Sequence, residues 1–342
     1  MSGDLPLVCI CIPTYNAEAT IREALASILG QTYSNLVIHI SDNASTDGTL
    51  MVVESMRDSR VHIHRQEKNI GAEGNFNRCI QLSDGKYTAI FHADDIYEQN
   101  IVAKQVAFLE SNLVAGAVFT EASLIDEKSN LVGALCLPRD VKSKIGLYDF
   151  ELMFKAVMKY GNFFICPSFM VRTKIYQQEI KVWRADQFGS GADLDVWLRI
   201  LQKYQIGHIA ERLIQYRIGR NQFSAQIRQI TSPSVLFKIV DYYLENENIR
   251  RLLDHNDWLH YQRLERRDRV MRAVNLFLMD LHVEAESLIS DIFSNDAFRA
   301  GFQTGSGLFT LIIGIYLQLI ISTGFHEIGK KTLTYMKKVT HR

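Results

Sequence analysis

Residues 87–95 read YTAIFHADD, a short apolar run that stops on two adjacent carboxylates. Consecutive apolar residues of this length, bounded by polar turns, describe a strand buried on both faces, and Asp94 and Asp95 stand where it leaves the sheet. The same unit recurs on either side. Strands are expected at Leu7–Ile12, Leu36–Ser41, Val61–Arg65, Tyr87–His92 and Ala117–Thr120. Between them, apolar residues at helical spacing predict helices near Ile21–Leu29, Leu50–Met56, Gly74–Gln81 and Ile101–Glu110. Strand and helix in alternation make a parallel, doubly wound α/β sheet. Ligands of such sheets bind beyond the carboxyl ends of the strands. Those positions hold Pro13-Thr14-Tyr15-Asn16, Asp42-Asn43, Asn69-Ile70-Gly71 and Ala93-Asp94-Asp95, so short polar and acidic side chains converge on one rim.

The whole chain has 342 residues, 47% hydrophobic and 22% charged, enough for a large catalytic domain and a smaller appendage. Its formal net charge of zero gives no overall attraction to nucleic acid, and none is expected as a partner. The five cysteines, Cys9, Cys11, Cys79, Cys136 and Cys166, lack paired metal-ligand spacing and read as buried thiols of a reducing compartment. The start, MSGDLPLVCI, has no basic segment leading into a long apolar one, so a catalytic part in the cytoplasm is expected.

Five segments carry a resemblance. PTYN at Pro13–Asn16, SDNASTDGT at Ser41–Thr49, NIGAEGNFN at Asn69–Asn77, HADD at His92–Asp95 and GADLDVWLR at Gly191–Arg199 together resemble family 2 glycosyltransferases over roughly the first two thirds of the chain. The resemblance implies a GT-A-like, Rossmann-related mixed sheet flanked by helices, with a C-terminal helical extension. It also implies inverting transfer of a sugar from a nucleotide-sugar, with a uracil-type base, to a saccharide or polyprenyl-linked acceptor. Implied nucleotide contacts are Pro13, Thr14, Tyr15 and Asn16, with Glu18 one turn further, and Asp42 as the acid that reads the base. Asp47-Gly48-Thr49 reads as a structural turn before a helix. Asn69 and Gly71 open a helix whose backbone N–H groups would favour the diphosphate. Many relatives place Arg where Phe76 stands, and Arg78 is the candidate substitute.

Asp94 and Asp95 are the candidate ligands of Mn²⁺ or Mg²⁺, because hard carboxylate oxygens suit these ions. His92 occupies the first acidic position of the family pattern and is placed with the donor contacts. Asp193 is the candidate general base; Ala192 stands where relatives have Glu, and a helix-capping role is the plain alternative for Asp193. Arg217 or Arg220 could hold phosphate, on the loop continuing through Gln222-Phe223-Ser224. The Gln-x-x-Arg-Trp signature of processive synthases is absent, which favours one sugar per binding event. Two other functions fit the same rim: a sugar nucleotidyltransferase, which PTYN disfavours because it lacks a Gly-rich, basic loop, and a non-catalytic nucleotide-sugar-binding scaffold, which Asp193 beside two further acids disfavours.

Domains are expected at 1–230, divided into a nucleotide-sugar half (1–120) and an acceptor half (121–230), then a helical extension at 231–300 and an apolar helix with basic tail at 301–342. Leu308–Phe325 is nearly long enough to span a bilayer, with Thr310, Gly314, Gln318 and Ser322 recurring every fourth residue. Lys330, Lys331, Lys337, Lys338 and Arg342 follow it and favour the cytoplasmic side. A shallow interfacial helix on the inner face of the plasma membrane is therefore expected, with burial against Val235–Phe293 or in a homo-oligomer as the alternative. Arg263–Arg272 could add attraction to anionic lipid.

Overall fold

The structure, a computed structural model, describes residues 5–142, 146–219, 231–302 and 305–340. The chain divides into two compact units. The first comprises residues up to Phe154 together with Asn162–Ile218; the second comprises Lys155–Gly161 and everything from Gly219 onward.

The first unit is built on a ten-stranded sheet. Strands β1 (Val8–Thr14), β2 (Leu36–Asp42), β3 (Val61–Arg65) and β4 (Tyr87–Ile90) pair in parallel in the order β3-β2-β1-β4. The intervening helices are α1 (Ile21–Leu29), α2 (Thr49–Ser55) and α3 (Gly71–Leu82). Beyond β4 the sheet turns mixed. A two-residue strand, β5 (Ile96–Tyr97), helix α4 (Ile101–Ser111) and the long β6 (Ala115–Ile125) come next. They are followed by β7 (Leu131–Leu135), β8 (Leu147–Tyr148) and helix α5 (Phe150–Tyr160). Strand β9 (Met170–Arg172) lies antiparallel between β4 and β6, so these two are not direct neighbours as an all-parallel sheet would make them. After α6 (Ala185–Phe188) and α7 (Ala192–Leu201), β10 (Gln205–Arg217) runs parallel to β6.

β1 and β2 are buried almost throughout because helices cover both faces, and Val8, Ile10, Ile12, Ile38 and Ile40 join Ile21, Leu25 and Ile28 of α1 in one core. Cys9, Cys11 and Cys79 are buried as expected, whereas Cys136 is exposed. The strand that carries the HADD motif ends at Ile90. Phe91 and His92 already belong to the turn, with the Phe91 ring stacked on Tyr97 at 3.9 Å and the His92 N–H donated to the Tyr97 hydroxyl at 2.6 Å.

The second unit is helical: α8 (Val235–Leu244), α9 (Glu247–Arg250), α10 (His255–Leu278), α11 (His282–Leu288), α12 (Asn295–Phe302), α13 (Gly305–Thr323) and α14 (His326–Thr340). α10 starts at a capping box in which Asp254 accepts from the Asp257 N–H at 3.0 Å and Asp257 accepts from that of Asp254 at 2.9 Å. Val270, Val274 and Phe277 of α10 share a core with Leu311, Ile313, Leu317 and Ile320 of α13 and Leu333 of α14. The first three positions of the stripe on α13 lie on its packing side: Thr310 is buried, a Cβ on Gly314 would lie 2.5 Å from Ile292, and Gln318 donates to Glu286 at 2.9 Å, whereas Ser322 is exposed. Leu308, Phe309, Ile312 and Leu319 stay exposed on the remaining surface of the helix.

Candidate active site

The rim is assembled by hydrogen bonds between the loops that leave the strands. Pro13 and Thr14 end β1 in register with Ser41 and Asp42 at the end of β2, and Tyr15 projects into solvent, 49% exposed. Asn16 adopts a positive φ of 48°, which brings its backbone N–H to Ser45 Oγ at 3.0 Å and its side-chain carbonyl to the Thr46 N–H at 2.9 Å. Glu18 accepts the Gly48 N–H at 2.9 Å. Asn16 and Glu18 are therefore ties between the first two loops. Asp47 does the structural work expected of it, accepting the Thr49 N–H and hydroxyl at 3.0 and 2.5 Å and so closing the turn that leads into α2.

Asp42 is fully buried. Its Oδ2 accepts the Ser45 N–H at 3.1 Å, while its buried Oδ1 finds no hydrogen-bond partner among the described residues. An orphan carboxylate oxygen at a strand end costs stability unless a ligand N–H completes it.

The start of α3 differs from expectation. Asn69 Oδ1 accepts the Gly71 N–H at 2.8 Å and an Asn43 amide hydrogen at 3.0 Å, and Asn43 Oδ1 takes the Ile70 N–H at 2.8 Å. The N–H groups of Ile70 and Gly71 are thus engaged within the loop. Arg78 is misplaced for phosphate: two residues are about 200° of helix, so it points away from the face of Phe76. It donates to Gln81 at 3.2 Å, and its charge helps hold down the pKa of His64. Phe76 is the residue that faces the site, edge-on to His92 at 5.7 Å and stacked on Trp183 at 4.5 Å.

His92, Asp94 and Asp95 each present one ligand atom, all within 4.8 Å of one another. Asp95 is 1% exposed; Oδ1 accepts the Arg217 N–H at 2.8 Å, and Oδ2 has no hydrogen-bond partner among the described residues and lies 3.8 Å from His92 Nδ1. Burial, with the Asp94 charge beside it, pushes the Asp95 carboxyl well above the usual range. Burial likewise holds the His92 imidazole below its ordinary pKa, and its Nε2 is buried without a partner. Two carboxylates and an imidazole gathered this closely are a donor set that fits a divalent cation. Sequence reasoning assigned His92 to the donor, whereas its position beside the two acids makes it a third candidate ligand.

Arg217 does not bind phosphate. It is buried, its Nε donates to the Asp94 carbonyl at 2.8 Å, Nη1 to Asp126 O and Ser129 Oγ, and Nη2 to Glu23 at 2.6 Å. It rivets the turn after β4 to α1 and to the β6–β7 turn, which fixes the acids. Arg220, Gln222, Phe223 and Ser224 lie outside the described residues.

Asp193 sits in the first turn of α7, accepting the Leu194 N–H at 2.7 Å with Asn162 Nδ2 at 3.5 Å. Desolvation raises its pKa to about 6. α7 is held by Asp195, a fully buried carboxylate paired with Arg184 and, at 2.9 Å, with Arg199. Arg199 in turn donates to the Ile180 and Val182 carbonyls, fixing the segment that presents Trp183. Asp195→Asn strips two guanidinium groups of their counter-charge and should cost about 3–5 kcal/mol, read as a lowered urea midpoint.

The charges of both acidic centres act on Cys166, a half-buried residue whose thiol is pushed well above the ordinary value by desolvation and then by Asp193 and Asp95. Aromatic contacts span the same interval: His92 to Phe76, Phe76 to Trp183, Trp183 to Trp197 at 6.4 Å, and Trp197 stacked on Phe169 at 3.6 Å. Asp193 is one helical turn from Trp197, so these rings link the start of α7 to the HADD turn.

The Glycosyl transferase family 2 profile matches residues 9–178, from β1 through β9. The chain belongs to glycosyl transferase family 2. An uncharacterised glycosyltransferase of Haemophilus influenzae is 26% identical over 292 residues, covering 83% of this chain and 89% of that one. The Escherichia coli UDP-Glc:α-D-GlcNAc-diphosphoundecaprenol β-1,3-glucosyltransferase WfaP is 28% identical over 200 residues, 58% of this chain and 72% of that one. Among solved structures, S. aureus TarS 1–349 in complex with UDP-GlcNAc superposes with a TM-score of 0.60 at 14% identity, covering 94% of this chain and 92% of that one, a likeness of fold. This family 2 glycosyltransferase thus has the expected mixed α/β GT-A architecture.

Proposed function

We propose that the enzyme transfers a single sugar from a UDP-sugar to a saccharide or polyprenyl-linked acceptor by one inverting displacement. The observation that carries this reading is the run of ring contacts His92–Phe76–Trp183–Trp197, which ties the acidic turn to the helix that bears Asp193. Asp193 takes the proton of the acceptor hydroxyl; a carboxylate with a pKa of about 6 is ionised at neutral pH yet more basic than an exposed one. His92, Asp94 and Asp95 would hold the divalent ion, which when bound neutralises charge on the departing nucleoside diphosphate. The imidazole in this set favours Mn²⁺ over Mg²⁺. Arg217 keeps the acids oriented, and Phe76 and Trp183 form an apolar wall beside them.

Asp42 Oδ1 is the acceptor for the imide N–H of uracil, a choice of base supported by its unpartnered lone pairs. Asp42→Asn should weaken UDP binding about 10- to 100-fold in calorimetry, the equivalent of one hydrogen bond to a charged group. UDP release from UDP-sugars with Mn²⁺ and a diphospholipid-linked sugar acceptor tests the reaction; release from GDP- or dTDP-sugars alone would replace the assigned donor.

The helical unit is proposed to lie on the cytoplasmic face of the plasma membrane. The exposed Leu308, Phe309, Ile312, Leu319, Phe325 and Ile328 support this. Basic attraction is smaller than composition implied, because Arg266 and Arg269 face Asp291, and Arg272 pairs with Asp268 at 2.7 Å. Arg342 and the side chains of Lys337 and Lys338 lie outside the described residues.

A further inference from the structure

A second cluster of metal-binding groups lies in the sheet away from the acidic rim. Cys9 is in the first half of β1, His39 is midway along β2, and Asp84 is in the turn that leads from α3 into β4. Three separate elements thus bring together a thiol, an imidazole and a carboxylate, with one ligand atom from each within 4.8 Å of the others. His39 Nε2 is 3.4 Å from Asp84 Oδ1. The opposite ring nitrogen, Nδ1, is 2.9 Å from His64 Nε2. A proton on His39 Nδ1, donated to His64, leaves the Nε2 lone pair directed at Cys9 and Asp84. Metal-bound histidines are held in this way, by a hydrogen bond from the nitrogen that does not ligate.

We propose that Cys9, His39 and Asp84 form a zinc site, with a solvent molecule in the fourth position. Zinc accepts sulfur, nitrogen and oxygen together in a tetrahedron, and its bond lengths place neighbouring donors about 3.4–3.6 Å apart. The observed spread closes to that by side-chain rotation. Cys9 and His39 are buried and Asp84 is exposed, so the site has fixed inner ligands and an entry from solvent. Cys11, whose Sγ is 3.6 Å from that of Cys9, is committed to α3 through the Cys79 carbonyl and stays outside the ligand set. Thiolate and imidazole select a softer ion than the two carboxylates and imidazole of the active site, so the two sites sort metals by chemistry. A zinc ion here would clamp β1, β2 and the entry to β4, the elements whose carboxyl ends deliver Thr14, Asp42 and the HADD acids.

The test is titration of the full chain with Co²⁺, a spectroscopic stand-in for zinc. The expected result is a near-ultraviolet thiolate-to-cobalt charge-transfer band saturating at one equivalent, displaced by Zn²⁺. The band should survive Asp95→Asn and vanish in Cys9→Ser. Because Cys9 is buried and its substitution could impair folding, Asp84→Ala is the second variant: it should weaken cobalt binding at least about tenfold and leave UDP release unchanged. A wild-type protein without the band, or with a band indifferent to Asp84→Ala, overturns the assignment. Neither outcome touches the proposed transfer reaction, which is read by UDP release.

Discussion

Asp193→Asn is expected to slow sugar transfer by about 10²–10⁴-fold while leaving UDP affinity unchanged. The amide keeps the shape of the carboxylate and the bond from the Leu194 N–H but cannot take a proton from the acceptor. In the wild type, kcat/KM should fall tenfold per pH unit below about pH 6, because the base works only when ionised and desolvation has raised its pKa to that value. The variant's residual rate should lack this acid limb. The same shift fixes the sign for stability. A folded-state pKa above the unfolded one means the folded protein binds more protons between the two values, so this group's contribution weakens as pH rises through that window. At neutral pH the Asn variant should consequently melt no lower than wild type, which separates lost chemistry from lost fold. A rate within threefold of wild type would remove Asp193 from the mechanism.

Asp95→Asn should be the other severe lesion, with transfer reduced about 10³-fold or more and no longer rescued by added Mn²⁺. Electron paramagnetic resonance of free Mn²⁺ reads the binding directly. The side chain is buried with one oxygen unsatisfied among the described residues and its carboxyl pKa driven upward, so it burdens the fold when no cation faces it. Removing the charge should hold or raise Tm while activity disappears. That combination marks a residue retained for function at a cost in stability. Unchanged Mn²⁺ binding would show that Asp95 orders the loop through Arg217 and does not hold the ion.

The first half of the sheet was legible because β1 to β4 and their helices obey local periodicities, and strand ends in a parallel sheet point to one rim without further information. Asp42, Asp94 and Asp95 were therefore readable from position, whereas Asp193, at the start of α7, was singled out by the family resemblance. What escaped depends on distance in the chain. β9 has three residues and β5 two, too few for any pattern, so the antiparallel insertion between β4 and β6 left no trace. Arg217 read as a phosphate ligand because nothing local reveals that its backbone meets Asp95, 122 residues away. Arg78 failed on helical phase alone, since Phe76 occupies the face toward His92. The stripe on α13 was visible, but its direction was not: small residues mark where a helix packs closely, and here they face the other helices of their own unit. The Cys9, His39 and Asp84 cluster has no linear spacing to recognise, because β-sheet register brings it together.

The most direct test of single-step transfer is the anomeric configuration of the product, read from the one-bond and vicinal couplings of the anomeric proton by NMR. From an α-linked UDP-sugar, attack by an acceptor oxygen deprotonated by Asp193 gives only the β-linked product. An α-linked product would require two displacements or a front-face route and would contradict the assignment of Asp193 as the base.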